Sequence, residues 1–140
     1  RAHVDGAPLD MSFSGLKTAV VNLAHNAQQK GEPLDEPALA RDFTQAVSDE
    51  LTERAALALE QTGRTVLVAA GGVAANSIIR ADLQRLCEKR GVKLYLPPLK
   101  WCGDNGAMIG AQGYYEYMSG VRGDMTLNGY ATMELDDVRF

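Results

Sequence analysis

The run Thr65-Val66-Leu67-Val68-Ala69-Ala70 is continuously apolar, rich in β-branched residues, and passes directly into Gly71-Gly72-Val73-Ala74-Ala75-Asn76. A short apolar run bounded by glycine reads as a strand buried on both faces, the kind found in parallel sheets covered by helices. A parallel neighbour needs a crossover, so a helix and then a second strand should follow. Ile79, Leu83, Leu86 and Cys87 have helical spacing up to Gly91, and positions 93–96 read as a second short strand closed by Pro97-Pro98. The expectation is a strand, helix, strand unit with parallel neighbouring strands.

Two helices precede it. Leu16, Val20, Leu23 and Ala27 recur at helical spacing, which predicts an amphipathic helix starting near Ser14 and broken by Gly31-Glu32-Pro33. Asp35 stands where a side chain can cap a second helix, with Pro37 in its first turn. The stripe Leu39, Phe43, Val47, Leu51, Ala55, Ala58 carries that helix to about Gln61, and Gly63 ends it. A last helix is expected from Asp104 to about Met118, followed by a mixed tail over 120–140. The order is helix, helix, strand, helix, strand, helix, an α/β pattern whose sheet is incomplete in this chain. Two buried-type strands leave open edges, so further strands are expected from sequence outside the chain or from a partner, and self-association is plausible on the same ground.

Composition narrows the function classes. The 140 residues are 46% hydrophobic, enough for a core, and the formal charge of -4 predicts no broad attraction to a phosphate backbone or an anionic membrane. If nucleic acid is involved, this piece is not its main landing surface. Cys87 and Cys102 form no CxxC pair and suggest neither a disulfide framework nor a zinc site. There is no membrane-length apolar run and no signal-peptide layout, so a soluble, cytoplasmic protein is expected. The chain opens at Arg1 almost directly into motif-rich sequence, as a piece of a longer polypeptide would.

Three segments can carry chemistry. In the Gly71-Gly72 turn, glycines would let backbone amides approach a phosphate, the following helix start favours negative charge, and Asn76 adds an amide that both donates and accepts. An ordinary strand-to-helix turn capped by Asn76 fits the same residues, and neither a Walker lysine nor the full dinucleotide spacing is present. Cys102-Gly103-Asp104-Asn105-Gly106-Ala107-Met108 follows the second strand, and both loops would lie beyond the carboxyl ends of parallel strands, where ligands collect. Asp104 is there either a hard metal ligand or the cap of the last helix. Cys102 reads as a small buried residue, because no histidine pattern accompanies it. Ser12-Phe13-Ser14-Gly15-Leu16-Lys17-Thr18 could contact an anion, but a capped helix with a solvated Lys17 accounts for the same composition and is preferred. His25 falls on a helix surface and His3 in a frayed terminus, while Tyr114, Tyr115 and Tyr117 read as packing and surface residues.

Together these blocks resemble those of the universal tRNA threonylcarbamoyladenosine transferases, the TsaD family and its archaeal and eukaryotic relatives. The blocks are 12–18, 71–77 with Arg80 shortly after, and 102–108, and the likeness spans nearly the whole chain. The resemblance implies an actin-like ATPase fold with two lobes, of which residues 1–140 would be the C-terminal part of the second. It implies an enzyme that moves threonylcarbamoyl from threonylcarbamoyl-AMP onto the adenosine beside the tRNA anticodon. Asn76 would contact the adenylate, with Gly71 and Gly72 bordering it, and the nucleotide partner would be threonylcarbamoyl-AMP or ATP. Asp104 would be the carboxylate ligand of one bound metal ion, iron or in some preparations zinc. Its two histidine partners belong to a His-x-x-x-His motif absent here, so the fragment alone is expected to be inactive.

Gly103 departs from the family's usual Thr, which would loosen the loop holding Asp104. Partners implied are tRNA and accessory proteins such as TsaB and TsaE. Two other readings of the residues stay open: another enzyme of the same superfamily, a carbamoyltransferase or small-molecule kinase, and a non-catalytic nucleotide-binding scaffold.

Overall fold

The computed structural model describes residues 7–129 and 131–132; His3 and the end of the 120–140 tail lie outside them. The elements are α1 (Ser14–Lys30), α2 (Glu36–Thr62), β1 (Val66–Val68), a 3-10 turn (Gly72–Ala75), α3 (Ser77–Arg90), β2 (Lys93–Tyr95), a second 3-10 turn (Leu99–Trp101) and α4 (Gly106–Met118). The predicted order is thus observed. The chain divides into two units, Arg1–Gly103 and Asp104–Phe140.

Helix ends in the first unit follow the sequence signals. The Asp35 carboxylate accepts from the Ala38 amide at 3.0 Å at the start of α2. Gly31, Gly63 and Gly91 end α1, α2 and α3 in left-handed conformations with φ of 66°, 62° and 66°. α1 starts at Ser14 as expected, but it is not capped by a side chain. Its cap position is Phe13, and the nearby hydroxyl of Thr18 donates instead to the Ser14 carbonyl. Lys17 is exposed there, as is His25 further along.

The two strands are parallel, pairing Val66 with Lys93, Leu67 with Leu94 and Val68 with Tyr95. They are shorter than the segments expected to form them, and they are not buried on both faces. Leu67 and Leu94 are half-buried, whereas Val66, Val68 and Tyr95 are exposed, Val68 at 67%. The physical reason is that, among the described residues, α2 and α3 cover one face only. Leu59, Ile79, Leu83 and Cys87 form the buried apolar centre on that side.

Even this side is incompletely filled. A cavity of about 350 Å³ lies among Leu51, Ala55, Leu67, Val73, Ile79 and Leu83. Polar contacts fix how α2 and α3 meet. Ser48, fully buried, donates to the Asp82 carboxylate at 2.6 Å, Gln45 donates to the same carboxylate at 3.0 Å, and Arg85 pairs with it from the next turn. A buried ion pair of Arg54 with Glu50 at 2.9 Å also ties down the preceding segment, since Arg54 donates to the Pro8 carbonyl at 2.8 Å.

In the second unit α4 begins two residues later than the sequence suggested, and none of its residues is buried. Tyr114 and Tyr115 meet edge to face, and the Arg122 guanidinium stacks on Tyr117 at 3.8 Å. These tyrosines are exposed. Among the described residues no helix is long and apolar enough to cross a membrane.

Candidate functional site

The turn after β1 is built around one obligatory glycine. Gly71 has φ 89° and ψ 174°, a conformation essentially closed to side chains, and its carbonyl accepts from the Ala74 amide at 3.0 Å to start the 3-10 turn. Gly72 has no such constraint, and a Cβ added there would meet nothing within 4 Å. Among the described residues neither backbone strain nor packing calls for glycine at position 72. Among the described residues the amides of Gly71, Gly72 and Val73 make no hydrogen bond. They form a short row of exposed donors.

Asn76 ends the turn and starts α3. Its side-chain oxygen accepts from the amides of Ile78 at 2.9 Å and Ile79 at 3.2 Å, so the capping reading is correct as far as that oxygen goes. Cap duty orients the group: with the oxygen committed to the helix, the amide nitrogen is left as a donor on an exposed residue. A cap and a ligand contact are therefore compatible uses of one side chain.

The loop after β2 stands beside this turn because the strands are parallel neighbours. Cys102 is buried there at 3% exposure, its sulfur 3.7 Å from the Pro98 carbonyl and 3.9 Å from that of Pro97. This matches its reading as a packing residue. The link between the two loops is Arg80, whose guanidinium donates to the carbonyls of Ala74 at 2.8 Å and Pro97 at 3.1 Å. Sequence reading noted Arg80 in its block without a role, since its acceptors are backbone carbonyls that leave no side-chain signal.

In the second unit the choice between two roles for Asp104 is decided against capping. Asn105 is the cap of α4, its side chain accepting from the Met108 amide at 3.0 Å. Asp104 is exposed, and its carboxylate makes no hydrogen bond or ion pair among the described residues. That leaves it available to a hard cation. It is a single donor, however, and no group of three His, Cys, Asp or Glu among the described residues could hold a metal ion. The described residues do not form a metal centre. At Gly103 a Cβ would meet nothing within 4 Å and φ is not left-handed, so the glycine there is not imposed by the backbone.

The comparisons with known proteins point one way. The family profile described as tRNA N6-adenosine threonylcarbamoyltransferase, TsaD, matches residues 1–111. Proteins of that name from Staphylococcus saprophyticus and Ligilactobacillus salivarius are 43% and 48% identical over 136 and 128 residues, covering 97% and 91% of this chain. The namesake from Lactobacillus delbrueckii subsp. bulgaricus is 44% identical over 137 residues. The chain spans only about two fifths of the length of these relatives, 40%, 37% and 40% respectively. A profile that takes in the turn at Gly71, Arg80 and Asp104 places the chain in the tRNA N6-adenosine threonylcarbamoyltransferase family.

Proposed function

We propose that this chain is the C-terminal part of the second lobe of a cytoplasmic, actin-like threonylcarbamoyltransferase, and that it supplies one wall of the adenylate site. In the reaction the exocyclic amine of the tRNA adenosine attacks the threonylcarbamoyl carbonyl of threonylcarbamoyl-AMP. A C–N bond forms, the bond to the phosphate oxygen breaks, the amine loses a proton and AMP leaves. The observation that carries the reading is the turn at 71–76: a row of exposed amides and an amide side chain oriented by its own cap bonds. Donors of this kind suit a phosphate or the polar edge of an adenylate, and they bring no proton-transfer group. A bare Gly72 allows a ligand to approach the backbone closely.

Asp104 is proposed as the one metal ligand this chain contributes, to iron or zinc, with the remaining ligands supplied by other parts of the protein. Its exposure and its lack of partners among the described residues support that role. The open face of the sheet, with Val66, Val68 and Tyr95 exposed, supports further strands or helices from the rest of the polypeptide. The chain alone is then inactive. tRNA, and accessory proteins such as TsaB and TsaE, would meet the complete enzyme.

The test is a full-length transferase carrying Asp104→Ala. Loss of bound metal together with at least about a hundredfold loss of tRNA modification is expected, the scale on which one electrostatic contact acts in catalysis. Unchanged metal content and activity would remove Asp104 from the site.

A further inference from the structure

We infer that Arg80 is a positioning residue: its guanidinium locks the Gly72–Ala75 turn to the loop after β2 and so fixes how Asn76 and the turn amides meet the adenylate. This rests on the reading of the turn given under Proposed function and adds a residue to which that reading gives no role.

Arg80 lies in the first turn of α3, where its own amide donates to the Asn76 carbonyl at 3.0 Å. One terminal nitrogen donates to the Ala74 carbonyl at 2.8 Å and reaches the Cys102 sulfur at 3.8 Å; the other donates to the Pro97 carbonyl at 3.1 Å. Ala74 and Cys102 are both buried, at 5% and 3% exposure, so the clamp closes on atoms with little freedom. Bonds from a charged donor are among the stronger ones in proteins, and a half-buried guanidinium keeps water from replacing them. The planar fork is essential, because it holds two carbonyls on separate segments at once, whereas a lysine would satisfy one.

Both terminal nitrogens donate to protein carbonyls, so Arg80 acts directly on the turn. Without the clamp, the Ala74 carbonyl loses its outside partner in the middle of the 3-10 turn. The amides of Gly72 and Val73 and the cap at Asn76 flank that point on either side. A shift there moves every donor proposed to face the adenylate. A small misplacement of binding groups is enough to cost affinity.

The experiment uses the full-length transferase with Arg80→Met, Arg80→Lys and Asn76→Ala. Affinity for AMP is measured by calorimetry, KM and kcat with threonylcarbamoyl-AMP, and Tm by calorimetric melting. For Arg80→Met, the dissociation constant of AMP and the KM should both rise about tenfold while kcat changes less than about twofold, as expected for lost uniform binding. Arg80→Lys, retaining charge and one bond, should show a smaller rise of about threefold. It is the deciding variant if the methionine form does not fold.

A purely structural staple would lower Tm and leave AMP affinity and KM unchanged, and that result overturns the inference. Asn76→Ala separates the two readings. If it weakens AMP binding and the Arg80 variants do not, the turn remains the adenylate site and the clamp falls. If Asn76→Ala leaves AMP binding unchanged, the turn is not the adenylate site and the inference falls with it.

Discussion

Helices α3 and α4 begin with the same device and end in different circumstances. Each follows a loop and is started by an asparagine whose side-chain oxygen accepts from backbone amides, Asn76 in one case and Asn105 in the other. α3 then buries Ile79, Leu83 and Cys87 against α2 and the sheet, and its Arg80 and Asp82 reach into neighbouring segments. α4 is the more apolar of the two, yet buries nothing, leaving Met108, Ile109, Tyr114 and Met118 exposed. Local capping is enough to start a helix, but only a covering layer makes its apolar face count toward stability. The chain holds that layer for α3. For α4 the proposed cover is the polypeptide beyond this chain, which accounts for the larger part of its relatives.

The sharpest way to break this contrast is a pair of truncations. Leu83→Ala in this chain should cost about 3 kcal/mol of unfolding free energy, the middle of the range for a buried leucine, because Leu83 is only 7% exposed. Ile109→Ala should cost less than about 0.5 kcal/mol in the same chain, because Ile109 is 68% exposed. In the full-length transferase the second value should rise toward the first. Urea denaturation followed by circular dichroism measures both. Equal costs in the 140-residue chain would show that α4 already has a packing partner in it.

The two caps differ by a smaller margin. Asn76 accepts from two amides and starts a helix with a buried face, whereas α4 buries none of its residues, so Asn76→Ala should destabilise by up to about 2 kcal/mol and Asn105→Ala by about 1 kcal/mol. The reverse order would mean that the second amide at Asn76 is better served by water than by the side chain. Measured beside the AMP affinity of the full-length Asn76→Ala form, this value also states how much of that residue's role belongs to the helix.

How much was legible follows from where each signal resides. Glycine ends and the Asp35 cap are encoded locally, and they fall where the residues point. The run at 65–70 correctly marked a parallel strand but overstated its length and burial. An apolar sequence records the complete environment of a strand, and this chain supplies cover for one face. Asp104 and Asn105 are both good caps and stand one residue apart. Only the phase of the backbone decides that Asn105 takes the helix and Asp104 is left free. Arg80 was invisible as a clamp because the carbonyls of Ala74 and Pro97 carry no residue-type information.

Gly103 gives a finer test of the loop before α4. Since a side chain meets nothing there and φ is not left-handed, Gly103→Thr should stabilise this chain by about 0.5 kcal/mol, mainly by restricting the unfolded state. A raised urea midpoint is the expected reading. A lowered one would show that glycine meets a need of this loop that neither its φ nor its surroundings reveals.

The smallest effects again separate the two units, through groups whose acidities are displaced in opposite senses. In the first unit, burial pushes the Cys87 thiol up. The native state then favours the neutral thiol. Its contribution to stability is complete below the ordinary thiol pKa and is lost as pH rises through the raised native value. In the second unit, the Thr126 hydroxyl and amide, donating to Asp124 at 2.6 and 2.8 Å, hold that carboxyl below its usual range. The turn it closes is stabilised above the ordinary carboxylate pKa, and that support goes as pH falls through the depressed native value. Raising pH from about 7 to 10 should therefore lower the urea midpoint of the first unit, and Cys87→Ala should remove that slope. Acidification should instead release the Thr126 amide without moving the midpoint, because Asp124 is exposed and no residue of its turn is buried. Amide chemical shifts of Thr126 followed down to about pH 2 read the second event alone. If Thr126 and the unfolding midpoint titrate together at acid pH, the turn at 124–127 is coupled to the folded core of the first unit, and the two units are not independent in stability.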